Sequence, residues 1–531
     1  MRTLSVPPTL RLARNPIVAI GLAALLLYLA YFTAQNILAN DFTGLALAGI
    51  VLVGGAVVIA VLNNWRRGLY VFIAWIMFED FVRKYLGNNM AVYFAKDIFV
   101  LFLYLSFFRA QRAARAAPFK IPFRVPLLLF LCFGILQMFN PASSSIFYGI
   151  LGVKVDFLYI PLIYIGYALV DSEEHLQRFL SFFCLLILIV GGLGLAQSII
   201  GPTFLNPAHL QEDIRGLSTT YRASPVTGLL AYRPTSVFVS AGRFQDFLGL
   251  SWIIALGCAG YVLLRARRGR TLVFSAIGVL AAASLMCASR GVFLGNAING
   301  LIICVGFLWG APWRQREVIR VLRAIQRTVL LVGAAIIILL TLFPEELGSR
   351  IAIYAETLLP DSPTSELVQR TQTYPLKQLE GAFDHPRWPY GYGIGTCTLG
   401  GQYVVRIMGA QPMRIGVESG FGNMLVELGI VGVILWILLG ASIAASAWKV
   451  ILRLRGSPWF PLAFVFGYNA VMIFFPVEFV SSVAYQDFIL NSGLWLLLGI
   501  LFRLRDYPRE VQLASAESMP DELVPAVEGN R

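Results

Sequence analysis

The chain has 531 residues, 58% of them hydrophobic and 13% charged, with 42 Lys and Arg against 29 Asp and Glu for a formal net charge of +13. A water-soluble core does not need so apolar a composition; a bilayer does, because each crossing takes roughly 20 apolar residues to cover about 30 Å of hydrocarbon. The basic excess sits in short loops beside apolar segments, where it orients helices, and no basic stretch carries the interleaved aromatics of a soluble nucleic-acid module, so nucleic acid is excluded as a partner.

Backbone groups in lipid must bond internally, and these segments are too long for barrel strands, which dictates an all-α polytopic helical bundle. In chain order the expected spans are 17–38, 43–62, 68–86, 91–108, 125–139, 151–170, 178–199, 243–264, 271–288, 291–309, 329–343, 421–443, 458–477 and 485–502. The first follows Arg2, Arg11 and Arg14, is longer than a signal-peptide core and lacks a clear cleavage site, so it reads as a retained helix. The spans at 68–86 and 125–139 are the weakest, one ending in charged residues and the other short. A single bundle over 1–502 and a flexible cytoplasmic tail over 503–531 are expected.

Starting with the N-terminus in the cytoplasm and alternating, every strongly basic loop falls on one side. These loops carry Arg66 and Arg67; Arg109 through Arg124; Arg265, Arg267, Arg268 and Arg270; Arg314 through Arg327; Lys449, Arg453 and Arg455; and Arg503 with Arg505. That satisfies the positive-inside bias and puts both termini in the cytoplasm. Two long loops, 201–242 and 344–420, then lie outside. The second has helical patterning over Ser365–Ala382, with Leu367, Leu376, Leu379 and Phe383 apolar, and predicts an amphipathic helix lying along the membrane surface or capping a cavity. A Pro/Gly/aromatic stretch, His385 to Thr396, follows; its Gly391, Gly393 and Gly395 read as a tight turn permitting close backbone approach, since no strand precedes them to make a dinucleotide fingerprint.

Five cysteines (Cys132, Cys184, Cys258, Cys287, Cys304) lie in apolar segments and Cys397 alone in a loop, none with metal-ligand spacing. There is no zinc signature, nucleophile elbow or ATPase phosphate loop. No metal and no cofactor are expected.

Ionisable groups at membrane depth cost about 2.5–3.5 kcal/mol at a helix centre and tend to be functional. Arg290, in Ala288-Ser289-Arg290-Gly291, is held near the outer surface by a very short loop, where its five donors suit phosphate oxygens or merely snorkel. Arg243 opens the eighth span and Arg233 lies ten residues earlier; outside positive residues run against the general bias, so a shared anionic ligand or simple loop solvation accounts for them. Arg370 sits on the expected surface helix and joins the set only if it faces the bundle. Glu418 closes the long outer loop where the chain returns to the membrane, a place suited to a general base or to a helix N-terminal charge. Glu427, inside the twelfth span, reads as a structural partner through hydrogen bonds or an ion pair. His385, before Pro386 in a rigid turn, reads first as local structure and second as catalytic. Glu79-Asp80, Arg83-Lys84 and Lys96-Asp97 read as mutually neutralising pairs.

Arg370, His385-Pro386, Gly391-Tyr392-Gly393-Ile394-Gly395-Thr396 and the run Glu418-Ser419-Gly420-Phe421-Gly422-Asn423 to Glu427-Leu428-Gly429-Ile430-Val431-Gly432 resemble the late outer loop of the bacterial O-antigen ligase and O-antigen polymerase superfamily. Ser289-Arg290-Gly291 resembles that family's arginine-bearing stretch. Phe78-Glu79-Asp80-Phe81-Val82-Arg83-Lys84 with Ala95-Lys96-Asp97 resembles a polymerase-type branch concerned with exopolysaccharide. The likeness covers the topology and, by motif, roughly residues 230–435. It departs at Glu418, which stands where the ligases carry their proposed catalytic histidine, and this favours a polymerase over a ligase.

The resemblance implies metal-independent glycosyl transfer, in O-antigen (lipopolysaccharide) or exopolysaccharide biosynthesis, on the outer face of the bacterial cytoplasmic (inner) membrane. The donor would be a glycan on undecaprenyl diphosphate and the acceptor another lipid-linked glycan, with other polysaccharide-assembly proteins as partners. Arg290 with Glu418 would serve catalysis; Arg243, Arg370, Arg233 and His385 would bind the diphosphate and substrate. The arginines would stabilise the leaving diphosphate by preorganised charge. Two rivals stand beside this reading. A ligase would transfer one finished polymer, and a flippase or exporter of lipid-linked sugars would show repeats and broken helices near mid-membrane.

Overall fold

The computed structural model describes residues 60–86, 90–207, 220–223, 228, 230–265, 269–312, 344–358, 374–398, 400–401, 409–413, 417–481 and 484–517, with isolated positions besides. The expected spans at 17–38, 43–62 and 329–343 fall wholly or largely outside these residues. The chain divides into two compact units, Met1–Glu79 with Met90–Ala117, and Asp80–Asn89 with Pro118–Arg531.

In the first unit, α1 (Trp65–Tyr85) begins and α2 (Met90–Ala113) packs. Leu69, Phe72, Ile73 and Ile76 of α1 are buried at helical spacing, and Phe72 stacks on Phe99 at 5.9 Å between ring centroids. Six charged residues (Arg66, Arg67, Glu79, Asp80, Arg83, Lys84) keep α1 from being simply apolar. Two of the charges expected to cancel do so, although across helices. Lys96 Nζ lies 3.1 Å from Glu79, both side chains being fully buried, and rests over the Tyr93 ring at 3.2 Å.

Among its described residues the regular structure of the second unit is helical apart from one short hairpin. It comprises α3 (Arg124–Gln137), α4 (Ile146–Phe157), α5 (Leu162–Leu169), α6 (Glu173–Ile200), β1 (Tyr221–Ala223), β2 (Leu230–Tyr232), α7 (Ala241–Leu264), α8 (Arg270–Met286) and α9 (Arg290–Gly310). It continues with α10 (Pro344–Leu358), α11 (Tyr374–Phe383), α12 (Gly420–Arg453), α13 (Phe460–Met472) and α14 (Phe488–Glu517). Among the described residues seven helical stretches are long and apolar enough to cross a membrane: Ile146–Leu169, Glu173–Ile200, Ala241–Leu264, Arg290–Gly310, Gly420–Arg453, Phe460–Val480 and Phe488–Asp506. They match seven of the fourteen expected spans; α3 and α8 are apolar but shorter. These helices fit an integral membrane protein. The amphipathic helix expected over Ser365–Ala382 is found in its second half, as α11, whose Ala382 packs on Leu425 and Val426 of α12.

Serine starts many of these helices for a local reason. Ser145, Ser172, Ser240, Ser289 and Ser419 are extended and accept a hydrogen bond from a first-turn N–H of α4, α6, α7, α9 and α12. Tight crossings use missing side chains. A methyl on Gly166 of α5 would lie 2.1 Å from the Leu496 carbonyl of α14, and one on Gly499 would lie 2.1 Å from the Ile163 carbonyl of α5.

Two helices are interrupted. α12 breaks at Gly429, whose φ of 72° is left-handed. The Pro389–Gly393 turn fills the break: Tyr392 N–H donates to Val426 O and Gly393 N–H to Glu427 O, each at 2.9 Å, and Ile430 N–H donates to Pro389 O at 3.2 Å. The side-chain amides of Gln137 and Asn140 donate to Tyr390 O and Gly391 O, each at 3.1 Å. Backbone groups released by the break are thus satisfied by the turn, as membrane burial requires. The expected close approach of Gly391, Gly393 and Gly395 is realised here, with φ of 80°, 109° and 89°. After α13 the helix widens into a π-turn, Ile473–Val477, around Pro476, and Trp436 Nε1 donates to the Phe474 carbonyl at 3.2 Å.

Helix ends expected on one side meet. Arg265, after α7, forks onto Glu173 at the start of α6 (2.6 and 2.7 Å) and lies over Trp459, just before α13. Arg455, after α12, lies over Trp309 at the end of α9.

Candidate functional site

The hairpin pairs Tyr221 with Tyr232, Arg222 with Ala231 and Ala223 with Leu230, and Arg233 N–H extends the ladder to Thr220 O at 2.9 Å. Side chains alternate across a strand, so Tyr221, Leu230 and Tyr232 share one face while Arg222, Ala231 and Arg233 share the other. Ala231 packs on Ala288 and Ile353. The arginine-bearing face therefore turns toward the α8–α9 junction and α10.

That junction is unusual. Ala288 is fully buried with φ of 52°, a conformation that costs an L-residue roughly 1–2 kcal/mol. Arg290 follows as the first residue of α9, nine-tenths buried, at a helix end whose dipole repels cations. Arg233 and Arg290 each stand two residues from the Ala231–Ala288 contact. Burial, and next the like charge of Arg222, pushes the Arg233 guanidinium below its ordinary pKa.

Arg350 completes the group. It is 1% exposed, and donates from Nε to Met286 O at 2.9 Å and from a terminal nitrogen to Tyr232 O at 3.2 Å, closing the end of α8 onto the hairpin. Phe293 of α9 stacks on Tyr354 of α10 at 4.5 Å and fixes these helices. Arg350 was not among the sequence candidates. In Glu345-Glu346-Leu347-Gly348-Ser349-Arg350 it reads as one more loop charge, and only the fold shows it buried. Beside it lies a cavity of about 630 Å³ whose wall includes Ser198, Gly201, Tyr221, Leu230, Tyr232 and Arg350.

The remaining candidates lie elsewhere. Arg243, expected to bind diphosphate, donates to both carboxylate oxygens of Asp80 (2.7 and 2.6 Å) and stands 3.8 Å from Asp487. Asp80 is fully buried, so a carboxylate of the protein itself holds part of the arginine's charge. Arg83 joins Asp80 at 3.4 Å, and Lys84, within reach of the Asp80 charge, donates to Thr235 Oγ1 and Ser236 O at 2.9 and 2.8 Å. Arg370 lies outside the described residues. His385 is half-buried, its ring edge-on to Tyr392 at 6.2 Å and its carbonyl accepting Trp388 N–H at 3.0 Å, as a turn residue would be. Glu418 is exposed, and its N–H donates to Gln378 Oε1 at 3.0 Å. Among the described residues, neither Glu418 nor His385 is joined to Arg233 or Arg290.

A second polar cluster was missed by sequence reasoning. Asp156 of α4, Glu427 of α12 and Glu478, just after the π-turn, are buried around a cavity of about 20 Å³, the size of one water. Glu427 accepts from Cys397 N–H and, at 3.0 Å, from Thr398 Oγ1, which is the structural role expected of it. Glu478 accepts Tyr485 N–H at 3.1 Å. A lone acid inside each of two apolar runs, Val155-Asp156-Phe157 and Val477-Glu478-Phe479, was the available signal.

Compared with known protein families and with curated proteins, the chain finds no match.

Proposed function

We propose that the protein is a polysaccharide polymerase of the bacterial inner membrane, transferring a glycan from undecaprenyl diphosphate to a lipid-linked acceptor on the outer face. The observation that carries this reading is the gathering of Arg222, Arg233, Arg290 and Arg350 at the α8–α9 junction, from segments whose loop charges predict an outward position. The resemblance in residues 230–435 supports the same chemistry. In the reaction, the acceptor hydroxyl oxygen attacks the anomeric carbon, the bond from that carbon to the phosphate oxygen breaks, and its electron pair leaves with the lipid diphosphate. Fixed guanidinium charge lowers the cost of that departure. The hydroxyl proton passes to a base, for which Glu418, exposed where α12 begins, is the candidate in this reading.

The breaks at Gly429 and at the π-turn before Glu478 favour a second reading, a flippase of lipid-linked sugars, because discontinuous helices are a transporter feature. One experiment separates the two: purified protein supplied with lipid-linked repeat units and assayed for lengthened product. A polymerase gives a ladder that Arg290→Ala and Glu418→Gln abolish while the thermal melt is retained. Translocation without lengthening selects the flippase, and normal elongation by Arg290→Ala removes that residue from the mechanism.

A further inference from the structure

The hairpin Tyr221–Tyr232 separates two chemistries. Its arginine face meets the α8–α9 junction, and its tyrosine face lines the 630 Å³ cavity. We propose that this cavity is the glycan subsite, holding the sugar residues of the phosphate-linked donor; the inference rests on the donor chemistry argued above and adds where its sugars sit.

The Tyr221 and Tyr232 ring centroids are 5.7 Å apart with planes inclined at 59°, so they form two walls of a corner. Aromatic walls suit the C–H faces of pyranose rings. Tyr232 is 8% exposed, and the Asn206 side chain stands beside its hydroxyl. Arg350, at the wall, is tied to the same strand through Tyr232 O, so the cavity and the arginine cluster share one rigid element. The volume lies within the range of small-ligand pockets, which combine a largely apolar wall with a few placed polar groups.

Trp388 and Tyr392, two of the three aromatics of the Pro/Gly turn beside the exposed Tyr390, are less suited to the task. Both are packed against the Ala382–Leu425–Val426 cluster, which holds the turn in the α12 break.

The test uses the full chain in lipid nanodiscs and two probes, undecaprenyl diphosphate and the undecaprenyl-diphosphate oligosaccharides extracted from the source cells. The wild type is expected to bind the glycosylated lipid about tenfold more tightly than the bare one, the scale of one aromatic contact with its hydrogen bonds. Tyr221→Ala should erase that difference while leaving the affinity for bare undecaprenyl diphosphate and the thermal melt unchanged, and Tyr221→Phe should keep it. Equal weakening of both probes by Tyr221→Ala would assign the cavity to the lipid, and no weakening of either would leave the sugars without this subsite; each overturns the inference alone. Failure of the wild type to bind either probe would overturn the donor reading and the inference with it.

Discussion

Replacing Gly429 with alanine tests whether the Pro389–Gly393 turn is a structural plug of α12. The new methyl would sit 2.5 Å from Pro389 O and 2.7 Å from the Tyr390 carbonyl carbon, and these are backbone atoms that no rotamer change can move. Holding alanine at a φ of 72° costs roughly 1–2 kcal/mol in itself. Displacing the turn also threatens the bonds Tyr392 N–H to Val426 O, Gly393 N–H to Glu427 O and Ile430 N–H to Pro389 O, at about 0.5–1.5 kcal/mol each. Together these give a loss of about 3–6 kcal/mol, against a total stability of about 5–15 kcal/mol for a typical domain. Gly391→Ala should do the same, since its methyl would meet Glu427 O at 2.3 Å. The double variant should cost less than the sum of the two, because both displace one turn. Thermal unfolding of the purified protein in detergent, read by intrinsic fluorescence, measures all three. Gly278→Ala, in open space on α8, serves as the control and should be neutral or stabilising by up to about 1 kcal/mol. A Gly429→Ala protein that melts with the wild type would refute the plug.

Two further variants address the charges reassigned by the fold. Glu79→Gln leaves Lys96 buried without its carboxylate and should cost about 3–5 kcal/mol, much of it recovered in Glu79→Gln/Lys96→Met; an additive double variant would show that the pair is not coupled. Arg243→Gln should destabilise by leaving the buried Asp80 to Arg83 alone, with Asp80→Asn restoring the melt; an Arg243→Gln protein of wild-type stability that fails to bind undecaprenyl diphosphate would place Arg243 in the substrate site.

Several local features were legible in the residues. Apolar run length gave the seven membrane-length helices, and the three alternating glycines after Pro389 announced a turn built for close approach. Glu427 was legible as a hydrogen-bond acceptor because an acid inside an apolar run needs donors. The pairing of distant charges was not. Lys96 pairs with Glu79 on the preceding helix, and Asp80 takes Arg243 from 163 residues away. Arg233, Arg290 and Arg350 look alike as outer-loop cations, yet burial at one junction sets them apart from Arg243.

The sequence by itself determined the solvent: apolar runs of this length are stable only in lipid, and period and length are local properties that survive without knowledge of neighbours. Tertiary structure alone decided which charges are spent inside the protein and which gather at the α8–α9 junction. Coulomb energy depends on distance in space and on the surrounding dielectric, and neither is written in the order of residues.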